Sequence, residues 1–559
     1  MLTSSPAFQP PHPPPSPHPA AAPAPSSGAP SEKQRRFDRQ LRIWGEHGQA
    51  RLEEAHVCLV NCGPTGTETL KNLVLGGIGA FTVVDAGKVE ARDLGNNFLV
   101  SRSDVGAPRA AAVCATLHEL NEAVEGNFVE EGVLDLLEKR PDFFGGFQLV
   151  VATQLTERTL QKLEGACRSR GVALLAARSY GLLGSLRASK GEHCVVEAKP
   201  DSEVEDLRLS APWPALLEYA HGFDLGSLDD ATHAHVPFAI VLIQAMRRWR
   251  DANGGRLPTT SAEKREVKAA ISEMGRRFEQ ENIKEAVGSA YKSWTEAPVP
   301  AEVLSILKHA KTAAAQPGAS KFFVLAAALG RFMAAEGGGK LPLEGSIPDM
   351  TSTTEFYLRL QHIYQAKARE DAEAVLAHAR AVAAEGAGTP EACDIDYETA
   401  RLFCKNAHHL AVVRYRTLAE ETSADSCRAE ELGKLLAAED TAVNANAYLL
   451  LRAADRFHES YNRLPGAFDD EIDEDVSRLK AIAASLLADC YKLGNNTAVD
   501  EDLLCEVVRY GGAELHAMAS VMGGIAAQEA IKLITAQFVP LAGTLIYNAI
   551  SSTSTVLSL

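Results

Sequence analysis

The sequence predicts a doubly wound, Rossmann-like α/β domain, discontinuous along the chain and interrupted by a large, mainly α-helical insertion. Short apolar runs alternate with helical patterns from Arg35 to about Ser202. That alternation gives way to Ala-, Glu- and Leu-rich stretches from about Ser261 to Leu487, and near Tyr510 the pattern changes again. Short apolar strands alternating with helices are what a parallel, helix-covered sheet needs. At 559 residues the chain is too long for one core. The expected organisation is a leader over 1–31, a first α/β part over 32–200, an inserted helical domain over 201–504 and a closing α/β part over 505–559.

The leader holds Pro, Ala, Ser and His with no core-former beyond Leu2 and Phe8. Such a composition buries too little to offset the entropy of ordering, so it is expected to be disordered. From Arg35, Phe37, Leu41 and Trp44 fall at i, i+4 and i+7 and make an apolar helical stripe, while Arg35, Arg36, Arg39 and Arg42 lie elsewhere around it. His56–Val60 reads as a strand ending in a Gly- and Pro-containing turn. A helix opens near Thr65 and closes at Gly76-Gly77. Phe81–Asp85 is a second strand ending in an acid. Strands near Asn127, over Phe147–Thr153 and over Ala173–Arg178 alternate with helices near 108–121 and 157–170. Phe238, Val241, Ala245 and Trp249 begin the helical region. Met518, Val521, Met522 and Ile525 form a late helical face, and Gly543–Asn548 reads as a strand that closes the first sheet.

Composition excludes several functions. A formal charge of −17 is the opposite of the basic footprint that nucleic-acid binding requires. The densest apolar run, Phe238–Met246, is half the ~18 residues that would span a bilayer, so no membrane partner is expected. Ten cysteines occur without a CxxC, which signals neither a zinc ribbon nor a redox pair. Reduced thiols such as Cys58, set in an apolar strand, fit the cytoplasm or the nucleus. The acidic stretch Asp469–Asp475 is expected to be a solvated loop.

Between the first strand and the next helix stands Asn61-Cys-Gly63-Pro-Thr-Gly66, where a nucleotide phosphate loop would sit. Its spacing is that of GxGxxG with Asn61 in place of the first glycine. Asparagine tolerates positive φ, so the turn can survive, but Pro64 removes one N–H from the cradle. Alone, this degenerate loop reads more readily as a purely structural strand–helix turn than as a nucleotide site.

The segment Phe37-Asp-Arg39-Gln-Leu-Arg-Ile-Trp44 resembles the opening helix of the ubiquitin-like-modifier activating enzymes and their bacterial sulfur-carrier relatives, the ThiF/MoeB-like superfamily. The Asn61 loop, Lys71-Asn-Leu-Val-Leu, Gly79–Asp85 and Gly523–Lys532 follow in the family's order, and the resemblance runs from about Glu32 to Leu559. Active members adenylate a modifier's C-terminal carboxylate with ATP and Mg²⁺ and often pass it to a cysteine. The resemblance implies a D-x-D acid pair, an asparagine–arginine run and a lysine. Here Asp85 remains, Gly87 stands at the second acid, Asn96 at the arginine and Arg109 at the lysine. One metal anchor and one phosphate-neutralising cation are therefore missing, and no cofactor is expected on this chain. Cys393 and Cys427 are the most exposed-looking thiols, but neither matches the family's catalytic context, and the acids around Cys393 would raise its pKa.

Asp206-Leu-Arg-Leu, Gly345–Met350, Leu451–Phe457 and Arg509–Glu514 resemble the regulatory, non-thioester subunits that serve the Nedd/Rub modifier. That resemblance implies an obligate heterodimer with a thioester-bearing subunit that binds ATP and Mg²⁺, with the modifier and its conjugating enzyme as further partners. It also implies that Arg39 reaches the ATP phosphates held by the partner. A self-sufficient homodimeric adenylating enzyme, an NAD-dependent oxidoreductase and a scaffold without any catalytic part remain as alternatives.

Overall fold

The computed structural model describes residues 31–200, 206–277, 279–386, 394–493 and 499–559. All of the leader but Ser31, and the thiol of Cys393, fall outside them. The chain divides into two compact units, one built from residues up to His193 together with Val413–Leu559, the other from Cys194–Val412.

The first unit is organised by an eight-stranded sheet. Its strands are β1 (His56–Val60), β2 (Ala80–Val84), β3 (Glu125–Val129), β4 (Leu149–Thr153), β5 (Ala173–Tyr180) and β6 (Leu183–Ser189). After β7 (Glu192–Val195) and β8 (Ala411–Arg414), which pair in a ribbon of their own, come β9 (Thr544–Asn548) and β10 (Thr553–Leu557). The order is β10-β9-β6-β5-β4-β1-β2-β3. The five strands from β5 to β3 run parallel, with Cys58 of β1 opposite Thr82 of β2 and Val150 of β4. The strands β6, β9 and β10 extend the sheet antiparallel. The doubly wound expectation therefore holds, and the tail does return to the first sheet. Sequence reading missed β6 and β10.

The helices α1 (Glu32–Arg36), α2 (Asp38–Glu53), α3 (Pro64–Gly76) and α4 (Arg109–Leu120) are followed by α5 (Val133–Lys139) and α6 (Glu157–Arg168). Ser31 caps α1 through a reciprocal bond pair with Gln34. At the far end of α3, Gly77 sits at φ 83°, the left-handed conformation that ends helices and that glycine adopts without strain. The side chains between sheet and helices, among them Leu59, Leu70, Leu73, Phe81, Val113 and Val151, are fully buried. Each such residue contributes about 1.5–3 kcal/mol of transfer free energy.

The last helix, His516–Thr535, is long and apolar enough to cross a bilayer by composition alone. It serves instead as a core helix, with Met518, Met522, Ala526 and Ala530 buried in the same cluster as Leu70 and Leu73. Of the face read from the sequence, Val521 points outward.

The insertion is shorter than its expected 201–504. Residues 413–504 belong with the sheet: Leu449, Leu450 and Phe457 of the helix Ala442–Tyr461 pack in one cluster with Tyr180, Leu183, Ile546 and Leu557. Helical periodicity is the same whether a helix packs on a sheet or on other helices, so the boundary leaves no mark in it. The acidic stretch is likewise no solvated loop. Asp469–Glu471 make a turn and Ile472–Ser485 a helix, in which Asp475 is buried and bonded to Arg463 at 2.6 Å and to Arg478 at 3.2 Å. Acids favour a helix N-terminus, and the two guanidiniums neutralise the one that enters the core.

The second unit is mainly helical, as expected. One apolar cluster centres on Leu329, Phe332, Val375 and Phe403, and another on Phe238, Ile240, Ile271 and Tyr364. A helix of 32 residues, Thr354–Glu385, contributes to both.

Candidate functional site: a closed nucleotide turn and an exposed arginine

Because β1 lies between β2 and β4, the sheet reverses direction of winding beside the C-terminal end of β1. Ligands of open α/β sheets bind at that crevice. The degenerate loop stands there. Asn61 has φ 63°, the left-handed conformation expected of it, and its side-chain amide donates to the Thr153 carbonyl at 2.8 Å. Thr153 Oγ1 donates back to the Asn61 carbonyl, also at 2.8 Å. Asparagine thus replaces the first glycine and ties β1 to β4. Gly66, in the first turn of α3, faces the Asn61 carbonyl so closely that a Cβ would stand 2.5 Å from it.

The acid at the end of β2 is engaged within the chain. Asp85 accepts from Arg109 Nε at 3.0 Å and Nη2 at 3.2 Å, from the Gly87 N–H at 2.7 Å and from the Cys62 N–H at 2.9 Å. Burial pushes the Asp85 carboxyl up, but the guanidinium and the two N–H groups outweigh it and hold the group below the usual carboxylate range. Arg109, at the lysine position, also lies 3.6 Å from Asp93. At Gly87, the position of the missing second acid, a Cβ would stand 2.8 Å from Arg109 Nη2 and 2.9 Å from Asp85 Oδ1. A side chain there would have to shift the ends of both ion-pair partners, and glycine leaves the Arg109–Asp85 pair undisturbed.

Sequence reading missed the residue that faces the turn itself. The first N–H of α3 belongs to Thr65, since Pro64 has none. It points at Glu514 Oε2 at 3.3 Å, and Thr65 Oγ1 donates to the same oxygen at 2.7 Å. Asn96 donates from Nδ2 to the Glu514 carbonyl at 2.8 Å. Desolvation raises the Glu514 carboxyl above its ordinary value. A cleft of about 670 Å³ remains, lined among others by Asn61, Arg92, Asn96, Arg109, Glu514 and His516. These residues do not fit a nucleoside triphosphate: Arg109 is bound to Asp85 and Arg92 to Glu90 at 2.9 Å, and a carboxylate stands at the helix N-terminus.

Arg39 is placed differently. It lies in the first half of α2 with its side chain 87% exposed and its Nε 3.8 Å from Asp38. Asp38 is also held by Arg42 at 3.1 Å. The helix is pinned at both ends of this half. The Phe37 ring closes over Gly77, and the Gln537 amide donates to the Trp44 carbonyl at 2.9 Å. Trp44 Nε1 donates to Gln49 at 3.1 Å, and Gln49 Nε2 donates to the Gly76 carbonyl at 3.2 Å. Beyond Trp44 the helix breaks at Gly45, with φ 69° and ψ 177°. Phe37 and Trp44 of the expected stripe are buried and Leu41 is half-buried. A rigid support thus presents a cation to solvent.

Thiols offer no comparable arrangement among the described residues. Cys58 and Cys62 are buried, and desolvation pushes both well up. Cys427 is half-buried and donates to the Cys490 carbonyl at 3.3 Å. Cys505, which sequence reading did not single out, is exposed. No group of three His, Cys, Asp or Glu side chains among the described residues converges as a metal site would require.

Comparison with known proteins covers nearly the whole chain. The ThiF family model matches residues 37–558. The NEDD8-activating enzyme E1 regulatory subunit AXL of Arabidopsis thaliana is 45% identical over 95% of this chain and 100% of its own length. Its relative AXR1 from the same plant is 45% identical over 94% of this chain and 97% of its own length. The NEDD8-activating enzyme E1 regulatory subunit of Danio rerio is 40% identical over 95% of this chain and 99% of its own. With its sheet order, closed turn and exposed arginine, the chain belongs to the ThiF family and, within it, to the regulatory subunits of the NEDD8-activating enzyme.

Proposed function

We propose that this subunit contributes Arg39 to an ATP site whose nucleotide and metal are bound by its thioester-bearing partner, and contributes no nucleotide, metal or thioester site of its own. The observation that carries this reading is the contrast between two cations. Arg109, in the chain's own cleft, is consumed by Asp85, whereas Arg39 stands exposed on an anchored helix. In this reading the partner binds ATP and Mg²⁺ and adenylates the C-terminal carboxylate of a Nedd/Rub modifier. Attack of that carboxylate on the α-phosphate gathers negative charge as pyrophosphate leaves, and a preorganised guanidinium meets it. The modifier then passes to a cysteine of the partner and on to a conjugating enzyme, upstream of cullin neddylation. The mainly helical second unit shapes the space in which modifier and conjugating enzyme meet that cysteine.

The test is to map the thioester. In the reconstituted heterodimer charged with modifier and ATP, the reducible adduct is expected on the partner alone. Among the described residues Cys505 is the exposed thiol and Cys427 is half-buried, its sulfur donating to the Cys490 carbonyl. A reducible modifier adduct mapped by mass spectrometry to either residue would overturn the assignment.

A further inference from the structure

We propose that Glu514 acts as an internal anion that occupies the phosphate seat at the start of α3, so that the chain closes its own nucleotide cleft from within. The inference concerns this cleft alone and does not depend on the role of Arg39.

Position carries the first part of the case. Glu514 Oε1 lies 2.8 Å from where a Cβ of Gly63 would stand, so the carboxylate rests in the hollow that the absence of a side chain opens. Its other oxygen takes Thr65 Oγ1 at 2.7 Å and faces the Thr65 N–H at 3.3 Å. These are the groups that a phosphate oxygen would use at a helix N-terminus, where the helix dipole favours an anion. The α3 helix spans 13 residues, long enough for that field to develop.

The support of the carboxylate carries the second part. Glu514 follows Gly511 and Gly512, both at positive φ (56° and 76°). The segment is held on the sheet side by the Gly181 N–H donating to the Ala513 carbonyl at 2.7 Å, and on the cleft side by Asn96 bonding the Glu514 carbonyl at 2.8 Å. The loop is therefore fixed on either side of the carboxylate. A phosphate entering the 670 Å³ cleft would meet this carboxylate at the helix N-terminus, with Arg109 already committed to Asp85. The cleft has room for a ligand but offers like charge where a phosphate would need donors.

The test uses the full-length chain, inorganic pyrophosphate as probe, and hydrogen exchange of the peptide spanning residues 61–72 as readout. In the wild type, pyrophosphate at millimolar concentration is expected to leave exchange in this peptide unchanged. In Glu514→Ala, exchange without pyrophosphate should be on the order of tenfold faster at the Thr65 amide, and pyrophosphate should restore protection. Glu514→Gln removes the charge at nearly constant volume, and it carries the test should the alanine variant fold poorly. Equal pyrophosphate protection in the wild type, or no gain of protection in a folded variant, would overturn the proposal. Should both variants unfold, the wild-type measurement still decides whether the seat is open.

Discussion

Arg39→Ala is expected to lower modifier adenylation by the reconstituted heterodimer by about a hundredfold while assembly stays normal. The size follows from the loss of one preorganised donor aimed at charge that develops in the transition state, about 3 kcal/mol. Assembly should survive because the helix is held by Phe37 over Gly77 and by the Trp44, Gln49 and Gln537 bonds, none of which involves Arg39. Its ion pair with Asp38, at 3.8 Å, is exposed and adds little to stability. Arg39→Lys should rescue only in part, since it keeps the charge and loses the planar fork. Gel filtration checks assembly, and single-turnover formation of the modifier adenylate checks the rate. Unchanged adenylation by an assembled Arg39→Ala complex would make the residue structural.

Arg109→Ala is expected to destabilise the first unit by about 3–5 kcal/mol, as breaking one side of a buried ion pair usually does. The reason lies with the group left behind. Asp85 is buried and would keep the Gly87 and Cys62 N–H groups and the weak Cys62 thiol donor, but no cation of the pair, against desolvation. The pH dependence has a definite sign. In the wild type the Asp85 carboxyl is held below its unfolded value, so its contribution is complete above about pH 4 and is lost only as pH falls through the lowered folded value. Without Arg109, desolvation raises that value instead. The variant's penalty should therefore shrink between pH 7.5 and pH 5, where protonation relieves the buried charge. Asp85→Asn combined with Arg109→Ala should recover part of the loss. Urea unfolding of the full chain at the two pH values measures both effects, and a penalty that grows on acidification would contradict this account of the pair.

The parts of the fold that were legible are those specified locally. β1, β2, β4 and β5 are continuous apolar runs because parallel strands are covered on both faces. Asn61 and Gly77 announce their left-handed backbones by residue type. What was illegible depends on partners far along the chain. β6 contains Gly184, Ser185 and Arg187, and Arg187 can lie buried within it because Glu421 and Thr544 meet its guanidinium. Neither partner leaves a trace near residue 187. The candidate site divides in the same way. The replacements at Gly87 and Asn96 were readable as missing chemistry. That Arg109 is bound to Asp85, and that Glu514 faces the turn from a distance of 449 residues, could be learned only from the folded chain. The marker segment Arg509–Glu514 was visible as a resemblance, without a reason for its acid.

The division of labour between the two subunits is tested most directly by ATP–pyrophosphate exchange with a ubiquitin-like modifier present. The measurement is made first on the purified full-length chain and then after the thioester-bearing partner is added. With glycine at position 87 in place of a second acid, Arg109 bound to Asp85 and Glu514 at the turn, the chain alone should give no exchange above background, and exchange should appear on addition of the partner. Robust exchange by the chain alone, free of partner, would contradict the account.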